Sequence, residues 1–180
     1  MPRYVAFLRA INVGGRTVKM DALRAIFEDL KLQRVSTFIA SGNVIFETRA
    51  SDRNALERKI ESQLNYALGF DVATMLRTDS EVARVAAYEP FERAAMDAAA
   101  GMNVGFLSGA LDGSALEAVE RMTTDIDKFH VHGCEVYWMC SAKVSESKFS
   151  IVRFAKACVR SVTFRSVKTV RKLAGLYPPG

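Results

Sequence analysis

Val35-Ser36-Thr37-Phe38-Ile39-Ala40-Ser41-Gly42-Asn43-Val44-Ile45-Phe46-Glu47-Thr48 reads as a hairpin, and the chain around it is organised by that hairpin. Val35 to Ala40 and Val44 to Thr48 are short runs rich in β-branched and aromatic residues, the composition of paired strands. Ser41-Gly42-Asn43 between them is turn chemistry, because Gly and Asn tolerate the positive φ of a tight connection. Upstream, Tyr4 to Ala10 is an apolar run that reads as a buried strand. Leu23, Ile26, Phe27 and Leu30 then recur at i, i+3, i+4 and i+7, one face of a helix. Downstream, Asp52 is an N-cap for a helix with Leu56, Ile60, Leu64 and Ala67 on one face and Gly69 at its end. Val72 to Arg77 is a last strand. The order within the first 77 residues is β-α-β-β-α-β.

The pattern recurs. Thr78 or Asp79 caps a helix through Ala87, and Tyr88 to Gly101 reads as a loop with an alanine-rich end. Asn103 to Ser108 reads as a strand, and Leu111, Ala115, Leu116 and Val119 mark an amphipathic helix. Lys128 to His132, Gly133 and Glu135 to Cys140 form a second hairpin. Phe149, Val152 and Val159 belong to a largely buried helix, Ser161 to Arg165 to a final strand. Val167, Val170, Leu173 and Ala174 line a closing helix that Tyr177-Pro178-Pro179-Gly180 stops. This α+β order predicts two tandem ferredoxin-like (βαββαβ, alpha-beta plait) units with a linking helix and a C-terminal helix. The boundaries expected are residues 1–80, a link at 81–101, a second unit at 102–165, and a basic helix and tail at 166–180.

Composition narrows the functional classes. Of the 180 residues, 49% are hydrophobic and 25% charged, which is globular usage rather than disorder. Cys134, Cys140 and Cys158 cannot pair completely, which points to a reducing, cytoplasmic setting. Met1-Pro2-Arg3-Tyr4 does not open a signal peptide, and no run is long and apolar enough to span a membrane. The net charge of +5 is unevenly spread. Residues 141–180 hold nine Lys and Arg against one acid (+8), and residues 1–140 hold sixteen against nineteen (−3). Such asymmetry points to an anionic partner.

Two constellations carry that reading. Asn12, Gly14 and Gly15, with Arg16 and Lys19, lead into a helix, where converging backbone N–H groups and the helix dipole suit an anion. The alternating topology puts Ser41, Gly42 and Asn43 at the same end. A plain strand-to-helix turn whose glycines satisfy positive φ is the more usual explanation, since the P-loop ending and the GxGxxG spacing are both missing. The second constellation is basic. Arg153, Lys156 and Arg160 fall at i, i+3 and i+7, and Lys168, Arg171 and Lys172 at i, i+3 and i+4 beside Thr169, with Ser147, Lys148 and Arg165 nearby. Clustered cations neutralise phosphates; a solvated basic face is the competing explanation.

Other chemistry is poorly supported. A ferredoxin-like sheet can read RNA, but Asn43 to Thr48 lacks the basic-aromatic pattern, and alternation puts Phe129, Val131, Val136 and Trp138 on the core side. Only Tyr137 and Met139 with Lys128, His130 and His132 remain on the other face. His130, His132 and Cys134 lack a fourth metal ligand, and alternation on a hairpin explains them more simply. No metal and no cofactor is expected, and no nucleophile–base pair is visible.

Tyr4-Val5-Ala6-Phe7-Leu8-Arg9-Ala10-Ile11-Asn12-Val13-Gly14-Gly15, Lys19-Met20 with Leu23-Arg24, and Ser41-Gly42-Asn43-Val44 together resemble the bacterial family known as domain of unknown function 1697. Pro90-Phe91, Glu135-Val136-Tyr137, Ser147-Lys148 and Thr163 to Leu173 extend the resemblance over nearly the whole chain. It implies a tandem ferredoxin-like fold and no established activity. It carries Asn12, Gly14, Gly15, Ser41, Gly42 and Asn43 over as shared positions. Two departures stand out: Ala10 replaces the family's Gly, and Arg165-Ser166-Val167-Lys168-Thr169-Val170 replaces an Arg-Asn-Trp-Asn-Thr-Val segment.

The functional expectation is a cytosolic protein that binds an anionic ligand, either nucleic acid or a phosphorylated small molecule, through the Gly-Gly loop and the basic C-terminal helices. The alternatives are an enzyme with a small substrate between the two halves, and a protein-protein surface. No membrane partner is expected, and nothing in the sequence speaks to oligomeric state.

Overall fold

A computed structural model describes residues 1–180. The chain is α+β, with two four-stranded antiparallel sheets and seven α-helices. It divides into two compact units, Met1–Val82 with Tyr177–Gly180, and Ala83–Leu176.

The first unit runs β1 (Arg3–Leu8), α1 (Met20–Asp29), β2 (Gln33–Phe38), β3 (Asn43–Glu47), α2 (Arg53–Leu68) and β4 (Thr74–Thr78), and leads into α3 (Asp79–Ala87). Its sheet has the order β2-β3-β1-β4. The register pairs Tyr4 with Phe46 and with Thr78, so alternate residues of neighbouring strands share a face. Tyr4, Ala6, Leu8, Val44, Phe46 and Leu76 are buried there beneath Leu23, Ile26 and Phe27 of α1 and Leu56, Ile60 and Leu64 of α2. Each Val, Leu, Ile or Phe side chain among them contributes about 1.5–3 kcal/mol when fully buried. The expected caps hold α2: Asp52 Oδ1 accepts from Ala55 N at 2.9 Å, and Gly69 closes the helix at φ 77°.

The second unit holds α4 (Arg93–Ala98), β5 (Gly101–Leu107), α5 (Gly113–Glu120), β6 (Asp127–His132), β7 (Glu135–Cys140), α6 (Ile151–Cys158), β8 (Val162–Ser166) and α7 (Val167–Leu176). Its sheet order is β6-β7-β5-β8, the same permutation as the first. Leu107, Val136 and Val162 pack against Ala115 and Val119 of α5 and Phe154 and Cys158 of α6. An aromatic cluster extends this core, with Trp138 and Phe149 centroids 4.6 Å apart and Phe129 stacked on Trp138.

Local expectations change in four places. The segment after Tyr88 contains α4 as well as loop. The division between units falls inside α3, and α7 belongs to the second unit. The four-residue tail belongs to the first unit, where the Tyr177 hydroxyl lies 3.1 Å from Ser36 Oγ and Arg3 Nη1 donates to Pro178 O. Finally, α6 is short: Val159 takes φ 50° and ends it, which leaves Val159 81% and Val152 66% exposed rather than buried. The proposed Arg153-Lys156-Arg160 face is therefore broken. Arg160 lies beyond the helix and donates from Nε to Ala110 O at 3.4 Å. No helix is long and apolar enough to cross a membrane.

Candidate anion-binding cavity

The Gly-Gly loop and the hairpin turn do lie side by side in the first unit. Leu8 N donates to Gly42 O at 2.9 Å, and Asn12 Nδ2 donates to Ala40 O at 2.7 Å. Asn12 also donates to Val18 O and accepts from Val18 N at 2.6 Å, so its amide staples both ends of the loop. Asn43 is fully buried, with Nδ2 donating to Phe38 O and Ser41 Oγ. At Gly42, with φ 79°, a Cβ would come within 2.9 Å of Ile11 Cβ. That close approach explains the glycine. Gly14 and Gly15 have positive φ in open space, and the Arg16 guanidinium lies 4.7 Å from the Phe70 ring centroid. Lys19 is the exposed N-cap residue of α1. This motif is thus largely engaged in holding its own loop.

The basic residues separate into groups. Arg165 is buried, with Nη1 donating to Thr163 Oγ1 at 2.8 Å and to Phe164 O at 2.9 Å. Burial lowers its pKa to about 10, so it stays charged at neutral pH. Ser147 Oγ donates to the buried carboxylate of Asp127, which also accepts from Trp138 Nε1 at 2.7 Å. Lys148 and Lys172 are exposed. Thr169 N donates to Ser166 Oγ at 3.1 Å, which caps α7.

Lys168 and Arg171, one turn apart on α7, instead line a cavity of about 540 Å³. Arg93, Met96 and Asp97 of α4 line it too, as do Gly101, Met102 and Asn103 at the start of β5, with Tyr88, Tyr137, Val144 and Ser166. Three cations and one acid share this wall. Arg171 Nε donates to Ala86 O at 3.3 Å, which fixes the guanidinium, and Arg93 pairs with Glu89. Lys168 forms no ion pair.

Above the sheet, Tyr88 covers the face that sequence alternation leaves to Tyr137 and the histidines. Its ring stacks on His132 at 4.4 Å and meets Tyr137 at 5.1 Å, and its hydroxyl lies 2.9 Å from His130 Nε2. Burial, then the neighbouring His132, lowers the His130 pKa. Tyr88 thus occupies part of the face on which a base would have to stack.

Sequence reasoning reached Lys168 and Arg171 but missed Tyr88, Arg93, Asn103 and Tyr137 as site residues. Arg93 sits in a segment that reads as loop, and Asn103 reads only as a strand start. Tyr137 carried one usable signal: strand alternation already set it opposite the core.

The sequence profile of the family described as Protein of unknown function (DUF1697) matches residues 1–137. The chain belongs to this family. No curated protein matches it. The fold of this DUF1697 member is shared by a solved conserved bacterial protein of Streptococcus pneumoniae, at a TM-score of 0.81 and 22% identity over 99% of each chain. At that identity the likeness speaks to fold alone.

Proposed function

We propose that the second unit binds a small phosphorylated metabolite in the cavity between α4 and α7. The carrying observation is that Lys168 and Arg171 line one concave wall with Arg93, against a single acid, Asp97. Guanidinium groups match phosphate oxygens in pairs, and an ammonium adds a point charge. The volume lies within the usual range for small-molecule sites. Isothermal titration with a panel of phosphorylated metabolites tests this reading. Lys168→Ala with Arg171→Ala should weaken the best binder at least tenfold, and equal affinity in the double variant would refute it.

Nucleic acid is the second reading, supported by Lys148, Arg153, Lys156 and Lys172, which are exposed and lie outside the cavity. Fluorescence anisotropy with short DNA and RNA at two salt concentrations separates the two, since a polyanion bound by several cations gives a steep salt slope. We further read each unit as a ferredoxin-like plait, supported by the βαββαβ order and the repeated strand permutation. The proposed compartment is the cytoplasm, a reading supported by three free thiols.

A further inference from the structure

We infer that the cavity takes a sugar phosphate rather than inorganic phosphate, with the Tyr137 hydroxyl reading an oxygen of the uncharged body. This rests on the cavity reading above and deepens it.

Tyr137 is only 2% exposed, yet its hydroxyl has no partner within the protein. No buried polar side-chain atom of the chain lacks a partner. The small exposed part of Tyr137 therefore includes its oxygen, and Tyr137 lines the cavity. A buried phenol normally finds a partner. Here the missing partner is a place for one to arrive.

The group is well suited to a neutral reader. Burial, helped by Glu135 and Tyr88, pushes its pKa further above the usual phenol range, so it keeps its proton through the physiological range. The ring is held on one side by Tyr88, which His130 and His132 hold in turn. Recognition therefore costs little side-chain ordering. The cavity is also far larger than a phosphate ion, and Met96, Met102 and Val144 give it an apolar stretch against which a sugar ring can lie. Charge is supplied by Lys168, Arg171 and Arg93, and Tyr137 adds direction without charge.

The test is isothermal titration of the full chain with ribose 5-phosphate and with inorganic phosphate. The wild type should bind ribose 5-phosphate at least tenfold more tightly. Tyr137→Phe should weaken ribose 5-phosphate by about 2- to 12-fold, the worth of one neutral hydrogen bond, and leave phosphate within twofold. Its melting temperature should match the wild type, because the hydroxyl bonds nothing in the protein. Lys168→Ala with Arg171→Ala should weaken both probes. Equal wild-type affinities, or a Tyr137→Phe variant that binds ribose 5-phosphate unchanged, would overturn this inference and leave the cavity reading standing. Failure of both probes to bind would overturn both.

Discussion

Asn12 commits its side chain to the surrounding chain, donating to Val18 O and Ala40 O and accepting from Val18 N. It also adopts φ 57°, which an Asn tolerates better than most residues. Both facts make it a loop residue by chemistry, whatever family motif it belongs to. Asn12→Ala should cost about 2 kcal/mol in urea unfolding, the sum of several half-exposed hydrogen bonds. Ligand affinity at the second-unit cavity should stay unchanged in the same variant. Ser147 shows the same distinction, since a hydroxyl that gives its proton to buried Asp127 is holding Trp138 in register, not awaiting an anion.

At the scale of the element, β4 shows how an edge strand is closed. Its outward N–H groups at Thr74, Leu76 and Thr78 donate to Glu61, Glu57 and Glu81, each at 2.8 Å. The first two acids stand on α2, one helical turn apart, which matches the two-residue step of the strand. Glu81 forms a capping box with Thr78, whose Oγ1 accepts from Glu81 N at 3.2 Å. Burial pushes the Glu81 pKa up, but the Thr78 N–H and Arg53 outweigh it and the net shift is downward. At Glu57 burial prevails and the pKa rises. Removing both helix acids with Glu57→Ala and Glu61→Ala leaves two edge donors open to another chain. The double variant should melt lower and scatter light on warming, where the wild type stays clear. The segment 147–158, which leads into and forms α6, contains no acid, so α6 has no such carboxylates to offer.

For the whole molecule, the pH dependence of stability carries a signature of the second unit. Folding lowers the His130 pKa below the ordinary imidazole value of about 6.5. Below that value the unfolded chain binds a proton that the folded chain resists, so stability present at neutral pH is lost as the pH falls. The groups packed around His130 are Tyr88, Phe91, His132 and, across the ladder, Tyr137. None is an acid that could offset the incoming charge. Between pH 7.5 and 5.5 the melting temperature of His130→Gln should fall less than that of the wild type. Parallel curves would show that His130 does not titrate in this window. The whole-chain charge behaves differently from a simple basic patch, because the excess of residues 141–180 is divided among buried Arg165, the cavity pair Lys168 and Arg171, and exposed residues in α6, in α7 and in the segments that flank α6.

Much of this architecture is readable from local periodicity alone. The hairpin at 35–48, the caps at Asp52 and Gly69, and the repeated β-α-β-β-α-β order all follow from residues a few positions apart, because helix and strand periods are local properties. The α6 boundary was less legible, since apolar Val152 and Val159 keep the helical spacing while Val159 turns out of it. The cavity was legible only through Lys168 and Arg171. Its other walls come from Tyr88, Arg93, Asn103 and Tyr137, tens of residues away. Sequence by itself determined which residues become strand, helix and core. Only tertiary structure decided which polar groups meet, because that depends on packing across a sheet whose neighbours are distant in the chain, and on which side chains, like Asn12 and Ser147, are consumed by bonds along the way.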